Sequence, residues 1–398
     1  MAAVEAPTLG NGTVTLRPHR AGDVAAVVEQ VSDAESQVWL LDPPTTYTQE
    51  HARAHIARAA AGWRDGGVRT LAVDVDGRCA GQVSLRPDGR GGAQLGYLLS
   101  PWARGRGVMT AAVRLYLGWA FASWHLLELG PDVSAQAAGP LQVVRWRAFV
   151  GNWPSRRVAW ACGFTAEGRA RGLLERRGVR RDLWTGSLLA GEELRPRSAW
   201  LDVPVVELGP VGDLGDVVLR PYRPGDVPRV AQACSDAGTA AFLPNLPSPY
   251  TKADAAAFVA TREEEHAAGA GVHWAIARAA DGELLGAVSA MGLAETAAAS
   301  AELGYWAHPD ARGRGVMTAA ARAAARHCLL PRDDGGLGLR RVLVRAASRN
   351  AASRAVARKA GFTEVGRDRD AERLRDGSLD DLVRHDLLAR ELGPTSAG

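Results

Sequence analysis

Ala103-Arg104-Gly105-Arg106-Gly107-Val108-Met109-Thr110-Ala111-Ala112 is written twice in the chain, for Ala311-Arg312-Gly313-Arg314-Gly315-Val316-Met317-Thr318-Ala319-Ala320 repeats all ten letters. Each copy follows an apolar run that closes in a turn. The first run is Leu95-Gly96-Tyr97-Leu98-Leu99-Ser100-Pro101 and the second Leu303-Gly304-Tyr305-Trp306-Ala307-His308-Pro309. Each copy then enters an Ala-, Arg- and Leu-rich segment with strong helix propensity. The order is strand, glycine-rich turn, helix. Glycine lets the backbone pass close to a ligand, and the first turn of a helix presents N–H groups with partial positive charge. Such a cradle suits a phosphate or pyrophosphate. A turn that binds nothing uses the same letters. A nucleotide-triphosphate loop is excluded, because neither Gly-Lys-Ser/Thr nor an acidic metal ligand accompanies either copy.

The repetition extends outward. Thr15-Leu16-Arg17-Pro18-His19-Arg20-Ala21-Gly22-Asp23-Val24 reappears as Val218-Leu219-Arg220-Pro221-Tyr222-Arg223-Pro224-Gly225-Asp226-Val227, and Tyr47-Thr48 as Tyr250-Thr251 at the same offset. Asn152-Trp153-Pro154-Ser155-Arg156 through Cys162-Gly163-Phe164-Thr165 is matched by Asn350-Ala351-Ala352-Ser353-Arg354 through Ala360-Gly361-Phe362-Thr363. The blocks keep one order, as in a duplicated domain rather than a solenoid. The first domain is read as 1–190, a Pro-, Gly- and charge-rich linker as 191–212, the second domain as 213–390 and a frayed tail as 391–398. Arg104 and Asn152 stand 48 residues apart, Arg312 and Asn350 only 38, so the first copy carries an insertion, read as a loop around 129–133.

Within each copy, alternation over 13–17 predicts a first strand, and Gly22-Asp23 a turn with Asp23 set to cap a helix. Residues 50–63 have helical apolar spacing. Asp76-Gly77 and Asp281-Gly282 predict hairpins joining 70–75 to 78–85 and 273–278 to 283–289. After the cradle helix come a strand (141–149; 341–346) and a short helix opening at Asn152 or Asn350. A last strand pair follows (164–169 with 182–188; 362–367 with 379–387). The fold class is α/β (α+β), a mostly antiparallel sheet flanked by helices.

Composition narrows the function classes. A hydrophobic fraction of 46% and a charged fraction of 23% belong to an ordinary soluble globular chain. No apolar run is long enough to span a bilayer and no N-terminal stretch has signal-peptide form. No membrane partner is therefore expected, and the cytoplasm is the expected location. Cys79, Cys162, Cys234 and Cys328 lack CxxC spacing, so neither a metal nor a disulfide framework is expected. The pI of 9.1 comes with a net charge of only +4, and the arginines are spread among acids. That pattern is no nucleic-acid footprint. Tryptophan is concentrated in the first half, with only Trp274 and Trp306 in the second; most are read as core and some as lining an acceptor pocket.

Taken together, both halves resemble the GNAT superfamily of acyl-CoA N-acyltransferases, most closely the branch of ribosomal-protein N-terminal acetyltransferases. The family's CoA-pyrophosphate motif, Arg/Gln-x-x-Gly-x-Gly/Ala, is matched by Arg104-x-x-Gly107 and Arg312-x-x-Gly315, with Met109 and Met317 in place of the final small residue. The branch's Leu-Gly-Tyr strand precedes each cradle, and its Asn-x-x-Ser-x-x-Val-Ala signature, ending in Gly-Phe, follows it. The resemblance implies an N-acetyltransferase that moves acetyl from acetyl-CoA to a primary amine, on a small molecule or a protein N-terminus, by direct attack. It implies cofactor contacts from Arg104, Gly105, Arg106, Gly107, Val108, Met109 and Thr110, and from Arg312, Gly313, Arg314, Gly315, Val316, Met317 and Thr318. It also implies a bulged, splayed strand, with a backbone N–H near Leu98–Leu99 or Trp306–Ala307 bonding the thioester carbonyl.

The same resemblance assigns the remaining site residues. Asn152 and Asn350 are helix N-caps by residue type and pantetheine contacts by resemblance, and both readings stand. Ser155 and Ser353 are either first-turn surface serines or donors of a proton to the leaving thiolate, whose ordinary pKa near 8.5 makes the demand modest. Gln94 and Glu302 stand two residues before the Gly of Leu-Gly-Tyr. An attacking amine must be neutral; a carboxylate at 302 polarises a water for that purpose, whereas an amide accepts no proton. A solvent-facing acid at a strand edge is the plain alternative for Glu302. His308 is read as structural. The loops 41–44 and 243–247 lie where relatives bind the acceptor. The expected assembly is a monomer whose halves replace a dimer, or a homodimer. Two other classes remain open: a different acyl transfer of the kind performed by two-domain mycothiol synthases, and an acyl-CoA sensor or scaffold with one inactive domain.

Overall fold

The computed structural model describes residues 5–44, 46–123, 140–243, 245–293 and 299–392, and in it each sequence copy builds its own eight-stranded sheet. The first copy runs β1 (Leu9–Gly10), β2 (Thr15–Arg17), α1 (Val24–Ser32), α2 (Ala34–Trp39), α3 (Gln49–Arg64), β3 (Arg69–Val75), β4 (Arg78–Pro87) and β5 (Gly92–Leu99). It continues through α4 (Val108–Ser123), β6 (Val143–Phe149), α5 (Trp153–Ala161), β7 (Thr165–Arg176) and β8 (Val179–Leu189). The second copy runs β9 (Val206–Pro210), β10 (Asp216–Arg220), α6 (Val227–Ser235), α7 (Ala237–Ala240), α8 (Lys252–Ala267), β11 (Gly271–Arg278), β12 (Leu284–Met291) and β13 (Ser300–Ala307). It ends with α9 (Val316–Leu329), β14 (Arg341–Ala347), α10 (Ala351–Ala360), β15 (Thr363–Arg373) and β16 (Leu379–Leu388). Strand order is β1-β2-β3-β4-β5-β6-β8-β7 in one sheet and the corresponding β9-β10-β11-β12-β13-β14-β16-β15 in the other. Among the described residues only β5–β6 and β13–β14 pair in parallel.

Local chemistry accounts for these elements. Asp76 (φ 52°) and Gly77 (φ 81°) both take positive φ, as a tight hairpin turn requires. Thr48 and Thr251 cap α3 and α8 by accepting the N–H of His51 and Asp254. The buried side of α4 (Val113, Tyr116, Leu117) covers Val83, Leu85 and Leu95, and Ala320, Ala324 and Cys328 of α9 cover the corresponding sheet. Burying one such Leu or Val contributes about 1.5–3 kcal/mol. Helices α6 and α8 cover the opposite face of the second sheet through Val230 and Val259, joined there by Tyr222 from the turn before α6.

Several expectations are corrected. Asp23 does not cap α1; its carboxylate is held by the buried Arg17 guanidinium and the Arg20 N–H, closing the preceding 3-10 turn. The 191–212 linker is largely built into the units. Leu194 packs on the first core, and β9 forms the edge of the second sheet, with Leu201 and Val203 against the second core. The chain divides between Arg197 and Ser198. At the far end, Leu392 packs on the second core, so the tail assigned from 391 begins too early. Trp124, the 129–133 loop and residues 393–398 lie outside the described residues.

Candidate active site

The site begins where a parallel strand pair separates. β13 pairs with β14 only over Ser300↔Arg341 to Glu302↔Leu343, and β5 with β6 only over Gly92↔Val143 to Gln94↔Arg145. Beyond that point β14 keeps full pairing with β16, and β6 with β8, leaving Leu303–Ala307 and Leu95–Leu99 open on that edge. Backbone groups around Leu98, Leu99, Trp306 and Ala307 therefore face a gap, with the Leu99 carbonyl taken by Arg104 at 3.3 Å. The expected bulge is not the cause. Register runs unbroken from Gly81↔Leu99 to Pro87↔Ala93 and from Gly286↔Ala307 to Met291↔Glu302, so the opening arises from the partner strand's divergence.

Each cradle lies just past the open strand. Gly105, Gly107, Gly313 and Gly315 have φ of 72°, 74°, 75° and 84°, a region that favours glycine. A Cβ at the first three would meet nothing within 4 Å, and at Gly315 only Val211 Cγ1 at 4.0 Å. Backbone conformation, not crowding, demands glycine, and the space above the loop is open. Gly315 is the N-cap of α9 and supplies no side-chain cap, so the N–H groups of Val316, Met317 and Thr318 point into that space. Val108, Met109, Val316 and Met317 bury their side chains in the core. A Met is tolerated at the family's small position because only its N–H faces the ligand side.

The arginines behave differently from expectation. Arg104 donates to Asp33, Glu35 (2.8 Å) and Ser36 Oγ (2.9 Å), and its N–H is bonded to the Pro101 carbonyl. Arg312 is engaged in the same way by Asp236 and Thr239. Both guanidiniums thus tie the cradle to the N-caps of α2 and α7 instead of reaching a phosphate. Arg314 is held by Asp213 (2.7 Å), while the exposed Arg106 has no such acid partner among the described residues.

A polar trio closes the gap on the α4 side. Tyr97 OH donates to the Ser155 carbonyl (2.9 Å) and lies 2.9 Å from Ser155 Oγ. Trp146 Nε1 donates to Ser155 Oγ (3.0 Å) and reaches Tyr97 OH (3.1 Å). In the second unit Ser353 Oγ donates to Tyr305 OH (3.2 Å), which donates to the Ser353 carbonyl (3.1 Å). Val344 replaces the tryptophan there, so Ser353 is less tightly held. Burial pushes both tyrosine hydroxyls above their ordinary pKa. Asn152 and Asn350 are N-caps, each accepting the serine's N–H at 3.1 and 3.0 Å.

Glu302 and Gln94 lie on the other sheet face, since β-strand side chains alternate and Ala301, Leu303 and Tyr305 pack toward α9. Glu302 Oε2 accepts Arg345 Nε at 2.8 Å. Gln94 Oε1 accepts Arg147 Nε at 2.8 Å, and its amide donates to the Arg145 carbonyl at 3.0 Å. On this face of the second unit lies a cavity of about 710 Å³ whose lining includes Phe242, Pro247, Tyr250, Arg349, Arg375 and Asp376. Arg375, at the β15–β16 tip, donates to the Leu246 carbonyl (3.3 Å), and Arg176 to the Leu40 carbonyl (2.9 Å), fastening each hairpin to the proline-rich loop. His308 is structural: it caps the turn before the cradle through Asp310 N–H. Tyr97, Tyr305, Trp146 and Arg345 are partners that no motif assigns. The tyrosines are letters of Leu-Gly-Tyr, and the period-2 alternation of the strand is the signal that aims them at the serine helix.

A splayed strand pair with a glycine cradle at the start of the following helix occurs in both units. Residues 13–165 and 216–363 match the Acetyltransferase (GNAT) domain family. The chain belongs to that family, which it matches in two tandem stretches. A Bacillus subtilis (strain 168) protein carrying the name of a ribosomal N-acetyltransferase, YdaF, is 38% identical over 111 residues, 28% of this chain. The match covers 57% of that relative's length. Mycobacterium smegmatis RimJ, solved in complex with CoA-disulfide, aligns with 24% identity and a TM-score of 0.42 over 48% of this chain and 89% of RimJ. RimL, a ribosomal alpha-N-protein acetyltransferase solved with coenzyme A, aligns with 20% identity and a TM-score of 0.39 over 46% of this chain and 98% of its own. No described helix is long and apolar enough to cross a membrane.

Proposed function

We propose that the second unit transfers acetyl from acetyl-CoA to a primary amine, and that the first unit binds acetyl-CoA with little turnover. The observation that carries this is the gap between β13 and β14, with an uncapped helix N-terminus at its mouth, Ser353 on one face and Glu302 on the other. Acetyl-CoA supplies a thioester carbonyl and a thiol leaving group. Gly313, Gly315 and the N–H groups of Val316, Met317 and Thr318 hold its pyrophosphate, and Arg314 flanks it. The free edge near Trp306 and Ala307 donates a backbone N–H to the carbonyl oxygen. Glu302 takes the amine proton through a water, and Ser353 Oγ gives its proton to the sulfur and regains one from solvent. Asn350 fixes Ser353 by capping its helix. In the first unit Gln94 accepts no proton, and Trp146 and Tyr97 hold Ser155, while Gly105, Arg106, Gly107 and the Val108, Met109 and Thr110 N–H groups keep the cradle intact.

The cavity walled by Tyr250, Arg349 and Arg375 holds the acceptor, and the name carried by the Bacillus relative makes a ribosomal-protein N-terminus one acceptor to test. The test is thiol release from acetyl-CoA across a panel of peptide and small-molecule amines. Ser353→Ala should lower kcat about 10²-fold with little change in KM for acetyl-CoA, and Glu302→Gln should lower it at neutral pH more than at high pH. Ser155→Ala should leave kcat unchanged. Equal losses from Ser155→Ala and Ser353→Ala would overturn the division of labour, and no loss from either would overturn the assigned chemistry.

A further inference from the structure

The two units differ sharply in the layer between sheet and helices on the side away from α4 and α9. In the second unit that layer contains Tyr222, Phe258, Leu284 and Ala287, beside the fully buried Ala233. At the corresponding repeat positions the first unit places His19, His55, Cys79, Gln82 and Gln30. A greasy layer in one copy is a set of metal-ligand side chains in the other.

The geometry of this set is that of a site. The His19 side chain is 1% exposed, and neither ring nitrogen has a hydrogen-bond partner. Gln30 is 0% exposed with Oε1 unpartnered, and its Nε2 lies 3.8 Å from Cys79 Sγ. Ligand atoms of His19, Asp23 and Cys79 all lie within 4.8 Å of one another, and His19 Nδ1 is 3.6 Å from Asp23 Oδ2. Tetrahedral bonds of about 2.0–2.3 Å set ligand atoms about 3.3–3.7 Å apart, so small side-chain shifts suffice.

Charge points the same way. Arg17 pairs with both Asp23 and Asp74 at 2.8 Å, so these three groups leave one net negative charge out of water. Arg220 pairs with Asp226 among the described residues, and Ala277 stands where Asp74 does, leaving none. Buried uncompensated charge is costly. A divalent cation bound by the Cys79 thiolate adds one net positive charge and cancels the excess.

We propose that His19, Asp23 and Cys79 hold one zinc-like divalent cation that pins the turn before α1 to β4, with Gln30 Oε1 closing the coordination. A metal-ligating imidazole is neutral, and both ring nitrogens of the buried His19 are without a hydrogen-bond partner to compete for the lone pair. The Cys79 thiol gives its proton to solvent as the sulfur–metal bond forms. Asp23 is pre-aimed, because Arg17 and the Arg20 N–H fix its carboxylate. The proposed ligands come from a turn and a strand far apart in the chain, with no CxxC spacing.

Metal content of the full-length protein, measured by plasma mass spectrometry after zinc addition and exhaustive dialysis, tests the site. The expected result is about one zinc per chain, falling about tenfold or more in His19→Tyr and Cys79→Leu, which install the second unit's residues, and unchanged in Cys234→Ala. Cobalt loading should give a thiolate-to-cobalt charge-transfer band that Cys79→Ser abolishes. Wild-type melting needs no variant: zinc should raise Tm and a chelator should return it. Wild-type protein that retains no zinc, or folded His19→Tyr and Cys79→Leu that retain it fully, overturns the proposal.

Discussion

At the residue scale, the cradle glycines are required by backbone geometry alone. Gly315→Ala places a Cβ in open space at φ 84°, so its cost is conformational, about 1–2 kcal/mol, and should appear as a lower Tm of the second unit. An unchanged Tm would mean the loop adopts another conformation. A buried histidine sets the acid limit. Burial lowers His266 to about 3, from an ordinary 6.5. Below pH 6.5 the unfolded chain binds a proton that the native chain does not, so stability is full above 6.5 and falls as pH drops toward 3. This group contributes about 1.4 kcal/mol per pH unit across that window, and the urea midpoint should drop between pH 7 and pH 5. A midpoint flat over that interval would contradict burial of a neutral ring. Glu302 and Ser353 were readable as residues; their partners were not. That Arg345 lies against Glu302, or Trp146 against Ser155, depends on strand register, which no motif encodes.

At the element scale, the motif arginines act as ties. Arg104 and Arg312 join the cradle to the N-caps of α2 and α7, next to the acceptor side, rather than to a phosphate. Arg312→Met should therefore lower Tm, by an amount corresponding to about 1–2 kcal/mol for partly exposed charged bonds, and should leave the acetyl-CoA Kd nearly unchanged. A large loss of acetyl-CoA affinity with an unchanged Tm would restore the direct-contact reading. Hairpins were legible because Asp-Gly marks them locally, and the short serine helices because Asn caps them. β9 was not. Val206–Pro210 is short and lies in Pro- and Gly-rich sequence, and it becomes a strand only because β10 offers an unpaired edge. The splay was expected from resemblance, but its cause, divergence of β6 and β14, resides in the β6–β8 and β14–β16 pairing and has no local signature.

At the molecular scale, duplication was fully legible, since ten identical letters and three further blocks recur in order. What duplication hides is divergence. Both copies keep the cradle and the open strand edge, yet Gln94 of the first corresponds to Glu302 of the second, Trp146 to Val344, and His19 and Cys79 to the apolar Tyr222 and Leu284. Each unit has its own core, so separately expressed 1–197 and 198–398 should each fold, with acetyl transfer retained by the second. Loss of folding by either fragment alone would show that the cores depend on each other. The central claim is that both cradles hold acetyl-CoA, and calorimetric titration of intact protein with acetyl-CoA tests it most directly, repeated on Gly107→Glu and Gly315→Glu. The account predicts two sites in wild type, with each substitution removing one because its carboxylate occupies the phosphate space. Wild-type protein that binds no acetyl-CoA, or binding that survives both substitutions, would contradict it.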